Sequence, residues 1–131
     1  MNALERVERH RVGQATVISV ADTAFPACRV VVAFRGGALF DPAGAAGAHR
    51  VLAELLLRGT DQLSRDALHA RFERLGSSIY ASTYGDMIMF RLNCLSRHLE
   101  ASLDLLREVL CEPGFRTDEH QALLEEVIDD L

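Results

Sequence analysis

The stretch that decides the fold is Gly44-Ala45-Ala46-Gly47-Ala48-His49-Arg50-Val51-Leu52-Ala53-Glu54-Leu55-Leu56-Leu57-Arg58-Gly59-Thr60. Glycine and alanine residues open it, and the aliphatic residues between them and the arginine give it a broad apolar face. Because glycine commonly follows the last residue of a helix, Gly59 marks its end. We therefore predict one helix across this stretch, around which the other elements are organised.

The flanking segments predict alternating pairs of strands and helices. β-Branched runs and clean alternation indicate strands, apolar residues at spacings of three and four indicate helices, and Ser64 is a suitable N-cap. The predicted order is β-β-α-α-β-β-α-α, an α+β fold with a mostly antiparallel sheet covered by helices. The strands are expected at 15–21, 28–34, 78–83 and 87–95, and the other helices between 64 and 76, at 99–111 and from 118 onward; residues 1–14 are expected to lead into the first strand.

Composition restricts the functional classes. A chain of 131 residues, 49% hydrophobic and 25% charged, fits one globular domain, 1–131. A net charge of −5, with acid gathered near the C-terminus, argues against binding to nucleic acid or to an anionic membrane surface. Cys28, Cys94 and Cys111 are odd in number and widely spaced, so we expect buried thiols and no disulfide framework.

The N-terminal residues predict no targeting segment. They are charged and contain no apolar core of a signal peptide, and no run approaches the length of a membrane span. We therefore expect a cytoplasmic protein; the periplasm is the alternative if a leader peptide has been removed. Leu123, Val127 and Leu131 carry an apolar stripe to the final residue, which predicts that the domain is truncated within its last helix.

The organising helix and its Arg-Gly-Thr ending resemble the zinc-binding helix of the pitrilysin/insulinase family of metallopeptidases, which carries His-x-x-Glu-His before a Gly-Thr turn. Further similarities recur in the right order over residues 13–131. They include Phe72-Glu73-Arg74-Leu75-Gly76, Ala81-Ser82-Thr83 and Leu124-Glu125-Glu126-Val127. The resemblance implies the first half of a pitrilysin-family domain, whose active members bind zinc.

The residues at the motif positions are wrong for a zinc peptidase. Counting back from Gly59, the first His, the Glu and the second His correspond to Arg50, Ala53 and Glu54. A zinc site needs neutral imidazoles one helical turn apart and a carboxylate that takes a proton from metal-bound water. Arg50 is permanently cationic and Ala53 is no base. We therefore predict no catalytic residue, no metal site and no cofactor.

The resemblance assigns roles to positions outside the helix. Glu126, seven residues after Glu119, corresponds to the family's third zinc ligand. Tyr80, Ala81 and Thr83 lie where the family's edge strand pairs with an extended peptide. For Glu126 the alternative is a solvated acidic face, and for Tyr80 it is packing. We further expect the Arg50 guanidinium to lie near the place of the lost cation, close to Glu54 alone or to both Glu54 and Glu126. The alternative is that Arg50 extends to water and contacts neither carboxylate.

These observations favour a catalytically inactive peptidase-like domain, an oligomer-forming pseudoenzyme that acts as a scaffold, a partner subunit or a peptide-holding surface. Expected partners are a homologous peptidase subunit or a second copy of the chain, and peptide. The alternative is a zinc-dependent metalloendopeptidase with an aberrant ligand set around Glu54 and Glu126. A chain with no function on its own is the third interpretation.

Overall fold

The computed structural model describes residues 6–129 as an α+β assembly of five strands and four helices. The strands are β1 (Val7–Val12), β2 (Ala15–Val20), β3 (Ala27–Arg35), β4 (Ser78–Thr83) and β5 (Met87–Leu95). The helices are α1 (Ala48–Leu56), α2 (Arg65–Arg74), α3 (Leu99–Cys111) and α4 (Thr117–Asp129), with short 3₁₀ turns at Ala38–Phe40 and Ser96–His98. The predicted α+β class and the order of the eight predicted elements are confirmed.

Three strands form an antiparallel sheet in the order β3-β5-β4, and β1 and β2 form a separate antiparallel hairpin. The central strand, β5, alternates strictly between half-buried and buried residues. Its buried side chains face the helices and belong to Ile88, Phe90, Leu92 and Cys94. Because successive side chains of a strand point to opposite faces and helices cover one face of this sheet, every second residue of β5 is buried. This is the physical cause of the alternation in the sequence.

The core lies between this sheet and the helices. Leu68 and Phe72 of α2 and Leu105, Leu106 and Val109 of α3 pack with Leu92 of β5 in one cluster. Leu123 of α4 is fully buried. Ser64 caps α2, because its hydroxyl accepts a hydrogen bond of 3.2 Å from the backbone N–H of Ala67.

Two sequence-based expectations were wrong about the N-terminal part of the chain. Residues 7–12 form a strand, β1, that pairs with β2 around Gly13 at φ +59°. All of its residues are exposed, so no burial pattern marks it in the sequence. The organising helix begins at Ala48 and not at Gly44, because Gly44 and Gly47 adopt positive φ values of 81° and 87° and form turns before it.

Two further expectations need correction. Of the three cysteines, Cys94 is buried, Cys28 is half-buried and Cys111 is exposed. Leu123 does not contribute to an uncovered stripe, since α4 packs it into the interior, and Leu131 lies outside the described residues. Within residues 6–129, no helix combines the length and apolarity that crossing a membrane requires.

The Asp41 carboxylate holds the entrance to α1 in place. It accepts hydrogen bonds from the backbone N–H groups of Gly47 at 2.6 Å and His49 at 2.9 Å. The His49 ring nitrogen Nδ1 lies 2.7 Å from the same carboxylate. The hydrogen bonds from the backbone and the ring of His49, together with the one from the backbone of Gly47, lower the pKa of Asp41 below its ordinary value of 3.8. Burial of the carboxyl group acts in the opposite direction and is the smaller effect.

We expect Asp41→Asn to make unfolding depend less on pH in acid. A carboxyl group whose pKa is lowered on folding adds stability that is present above its unfolded pKa and is lost as the pH falls through the folded value. The native protein should therefore exceed the variant in stability at neutral pH, and the gap should close below about pH 4. Urea unfolding midpoints across this range measure the effect, with Asp86→Asn at an exposed turn as control. A gap that stays constant down to the acid limit would contradict the assignment.

Candidate functional site

A cleft of about 470 Å³ lies where α1, α2 and the edge strand β4 meet. The helices contribute both charged and apolar side chains to it, and the strand contributes residues on either side of Ile79. Its lining includes Glu54, Leu57, Arg58, Arg65, His69 and the segment from Ser77 to Ala81. Of the positions that the sequence singled out, Glu54, Tyr80 and Ala81 line this cleft.

The motif positions on α1 form a surface ion pair beside an apolar residue. Arg50 Nε donates to Glu54 Oε1 at 3.1 Å, and the two side chains are 53% and 39% exposed. The predicted contact between Arg50 and Glu54 is thus confirmed. Ala53 is only 1% exposed and lies in the core with Ile88 and Phe90. The position that the resemblance assigns to the catalytic base therefore lies in the hydrophobic interior.

Arg58, which the sequence reasoning missed, is the cation that reaches the C-terminal helix. Its side chain is 7% exposed, and its Nη2 donates a short hydrogen bond to Oε2 of Glu126. Its Nη1 lies 3.5 Å from Oε2 of Glu119, without hydrogen-bond geometry to any side chain of residues 6–129. The expectation that Arg50 approaches Glu126 was therefore wrong, because Glu126 pairs with the arginine two turns further along the chain.

The contact with Arg58 lowers the pKa of Glu126. The hydrogen bond from Arg58 is the main cause that lowers the pKa of Glu126, burial opposes it, and the charges of Arg58 and Arg65 lower it further. Arg65 Nη1 also lies 3.8 Å from Oε2 of Glu119. Two arginines from the end of α1 and the start of α2 thus face two carboxylates of α4. We call these four residues, Arg58, Arg65, Glu119 and Glu126, the arginine–carboxylate cluster.

The Gly-Thr turn brings Arg58 to this position. Gly59 has φ +122°, a conformation that residues with a side chain rarely adopt. Thr60 is fully buried; its hydroxyl donates to Oε1 of Glu108 at 2.6 Å and accepts from the backbone N–H of Leu63 at 3.0 Å. These bonds fix the chain direction after α1. The sequence signal at this position is an arginine directly before the Gly-Thr pair, and its inward orientation follows from the burial and hydrogen bonds of Thr60.

The residues present do not fit a zinc ion. Glu54 is engaged by Arg50 and Glu126 by Arg58, so each carboxylate already has a cationic partner. Zinc prefers imidazole, thiolate and carboxylate ligands in a tetrahedral set, and the guanidinium supplies only donors. Among residues 6–129, no group of three or more His, Cys, Asp and Glu side chains is arranged to hold a metal ion.

The edge strand β4 presents unpaired backbone groups beside the cleft. The hydrogen bond of 2.8 Å from Tyr84 N to Met87 O fixes the alternation of the β4–β5 ladder. Residues 78, 80 and 82 consequently pair with β5, and Ile79, Ala81 and Thr83 direct their N–H and C=O groups to the open edge. Two of the three positions assigned to peptide binding from the sequence, Ala81 and Thr83, therefore have outward backbone groups.

Tyr80 differs from Ala81 and Thr83 in the direction of its backbone groups and in the face of the sheet on which its side chain lies. Its backbone pairs with β5 opposite Arg91, and its side chain is 56% exposed on the face of the sheet away from the helices. Successive side chains of a strand alternate between faces, so Tyr80 and Ala81 point in opposite directions. A packing role for Tyr80 in the interior does not agree with this exposure.

Comparisons with known proteins identify the family and the fold of the chain. The chain matches the family model described as Insulinase (Peptidase family M16) over residues 16–130. None of the curated proteins compared with the chain matches it.

Two solved structures show the same fold. A crystal structure of a peptidase M16 inactive domain from Pseudomonas fluorescens is 24% identical with a TM-score of 0.89, covering 95% of this chain and 31% of that one. The crystal structure of a protease from Helicobacter pylori is 22% identical with a TM-score of 0.84, covering 95% of this chain and 30% of that one. The chain thus spans about a third of these proteins. With the family match over residues 16–130, it belongs to the insulinase family of peptidases, family M16.

Proposed function

We propose that this chain is a catalytically inactive M16 domain that holds extended peptide along β4 and works beside a second protein subunit. The observation that carries the proposal is the arginine–carboxylate cluster. Arg58 binds the carboxylate of Glu126, which corresponds to a zinc ligand of the family, and the buried Ala53 stands at the position of the catalytic base. On this proposal the domain keeps a surface for peptide along β4, while the residues that hydrolysis needs are replaced on α1.

The alternative, a peptidase with an aberrant ligand set, would need Glu54 and Glu126 to release their arginines. An ionised carboxylate bound to a guanidinium through a charge-assisted hydrogen bond is a poor metal ligand unless the metal displaces the cation. Arg58 is 7% exposed and follows a helix whose end is fixed by Thr60, so its displacement would leave a buried charge unpaired. These contacts favour the inactive domain.

Peptide binding to β4 rests on backbone chemistry. An extended peptide adds a strand to an open sheet edge by pairing with its outward N–H and C=O groups, and neighbouring pockets select its side chains. The outward groups of Ile79, Ala81 and Thr83 supply the first requirement, and the adjacent cleft of about 470 Å³ supplies the second. Arg58 and Arg65 line that cleft, as do Glu54 and Glu73, so both signs of charge are available to it.

We expect Ala81→Pro to weaken peptide binding at least tenfold. Proline removes one outward N–H and its ring obstructs the edge, whereas the ladder to β5 uses residues 80 and 82 and stays intact. Fluorescence anisotropy of a panel of short, unstructured, fluorescein-labelled peptides measures the affinity, and circular dichroism confirms the fold.

The matched control is Ala33→Pro on β3, the strand on the opposite edge of the same sheet. Residue 33 also directs its backbone N–H away from β5, because it alternates with the hydrogen-bonded residues of that ladder. The proposal predicts unchanged peptide affinity for this variant. Equal loss of affinity in both variants, or none in Ala81→Pro, would contradict peptide binding at β4.

The partner role rests on exposed apolar residues of β2 and of β3, the strand at the edge of the sheet opposite β4. Ile18 and Val20 of β2 are 65% and 58% exposed, and Val31 and Phe34 of β3 are 48% and 47% exposed. Apolar residues on open strands favour contact with another protein surface. In the absence of a homologous subunit, the chain itself supplies that surface.

We therefore expect the protein to self-associate at high micromolar concentration, and Val31→Glu to shift it toward monomer. The new carboxylate would lie opposite Arg91 in the β3–β5 register, so the sheet itself should tolerate it. Sedimentation velocity over a concentration series tests this, with Leu103→Glu on the exposed face of α3 as control. A native protein that stays monomeric throughout would contradict the expectation.

A further inference from the structure

Two cysteines lie directly opposite each other in the β3–β5 ladder. The register pairs Cys28 with Cys94. Backbone hydrogen bonds flank this ladder on both sides, from Ser96 N to Pro26 O at 2.9 Å and from Gly36 N to Asp86 O at 3.2 Å. In an antiparallel ladder every second residue pair is hydrogen-bonded, and the Cys28–Cys94 pair lies an even number of residues from both of these bonds. Cys28 and Cys94 therefore form a hydrogen-bonded pair, for which the Cα–Cα separation is about 5.5 Å, inside the range of about 4.4–6.8 Å that disulfides span. The Cβ atoms of directly opposed residues lie about 4.5–5.5 Å apart, wider than the separation of about 3.5–4.5 Å in disulfides, so the two strands must approach slightly as the bond closes.

Both side chains are on the same face of the sheet. Cys94 belongs to the buried series of β5 and is 4% exposed, while Cys28 belongs to the half-buried series of β3. Sγ of Cys28 lies 3.5 Å from the Ser96 hydroxyl, at the open end of the ladder. One sulfur is thus accessible to a small reagent and the other lies behind it. Cys111 is exposed at the end of α3 and has no place in this pair.

We propose that Cys28 and Cys94 are a reversible modification site, which low-molecular-weight disulfides such as oxidised glutathione convert to an intramolecular disulfide. The Cys28 thiolate attacks one sulfur of the reagent, forming a mixed disulfide and releasing one glutathione thiol. The Cys94 thiolate then attacks Sγ of Cys28 and releases the second glutathione. The protein loses two protons and two electrons, and the reagent is reduced to two thiols.

The local chemistry sets the order and the pH dependence of these steps. Burial chiefly, and the neighbouring Cys28 in addition, raise the pKa of Cys94, while a hydrogen bond with Ser102 acts in the other direction. The attacking species is the thiolate, so closure of the disulfide by Cys94 accelerates as the pH rises. The product joins the edge strand β3 covalently to the central strand β5.

The test uses the full chain carrying Cys111→Ser, which leaves the two opposed thiols and removes the exposed third one. The folded protein is incubated with oxidised glutathione at mildly alkaline pH and analysed by thiol titration and intact mass. We expect both thiols to disappear, the mass to fall by two hydrogens, and a non-reducing digest to link the peptides that contain Cys28 and Cys94. Dithiothreitol should restore both thiols.

Two variants on the same background identify the steps. With Cys94→Ser, Cys28 should accumulate as a stable glutathione adduct; with Cys28→Ser, the buried Cys94 should react at least tenfold more slowly. Circular dichroism shows that each protein stays folded during the reaction. A lasting adduct on Cys28 beside a free Cys94 thiol in the Cys111→Ser protein would overturn the proposal. So would native thiols that remain unreacted when the same protein in denaturant is oxidised.

Discussion

The double variant Glu119→Ala/Glu126→Ala should be markedly less stable than Arg58→Met. Removing both carboxylates leaves the Arg58 guanidinium, 7% exposed, without a negative partner. A buried charge that loses its partner costs about 3–5 kcal/mol, and we expect a loss within that range because Thr60 and Gly59 leave Arg58 little freedom to turn outward to water. Alanine keeps the helix propensity of α4, so the loss reports on the charge.

Arg58→Met should have a smaller effect because the two sides of the cluster differ in exposure. The Glu126 side chain is 56% exposed and can turn to water when its partner is removed, while methionine fills the apolar channel left by the arginine stem. The triple variant, Arg58→Met with both alanines, should recover most of the stability lost by the double variant. Urea unfolding of the four proteins measures the cycle. Equal stability of the double variant and Arg58→Met would show that the guanidinium does not depend on the carboxylates.

Gly59→Ala should destabilise the domain by about 3 kcal/mol, through backbone strain and close contacts. A Cβ at this position would lie 2.8 Å from the carbonyl oxygen of Leu63 and 2.7 Å from Nη1 of Arg116, and the backbone has φ +122°. The Leu63 carbonyl oxygen accepts a hydrogen bond from the backbone N–H of Thr60, so it has little room to move. The predicted consequence is loss of the turn that directs Arg58 toward α4.

Gly44→Ala is the matched control, because Gly44 also has a positive φ, 81°, but a Cβ there would meet open space. It should cost only the conformational penalty of about 1–2 kcal/mol that any side chain incurs in the left-handed region. Thermal and urea unfolding of the two variants separate contact from conformation. Equal destabilisation of both would contradict a close approach at Gly59.

Local pattern was sufficient for the long periodic elements. The predicted bounds of β4, β5 and α3 match the structure, because each has either a strict alternation or an apolar repeat at helical spacing that ends at a clear turn. The hairpin strand β1 escaped prediction because its side chains are all exposed and charged residues dominate it. The start of α1 was misplaced because alanine-rich sequence favours a helix whereas two glycines with positive φ form turns.

The site was predictable where neighbours along the chain decide it. The Arg50–Glu54 pair follows from their spacing on one helix, so sequence alone identified it. Arg58 and Glu126 are 68 residues apart, and their contact depends on how α4 crosses the end of α1. The facing cysteines depend in the same way on the register of two strands that are distant in sequence. Spacing within one element fixes the first kind of contact, and only tertiary packing fixes the second.

Zinc retention after dialysis is the measurement that tests the inactive-domain account most directly. Protein loaded with zinc, dialysed against metal-free buffer and analysed by mass spectrometry of the metal should retain far less than one zinc per chain. Glu126→Ala should retain the same trace amount, and neither protein should cleave unstructured peptides. One zinc per chain that survives dialysis, supports peptide cleavage and is lost in Glu126→Ala would contradict the account.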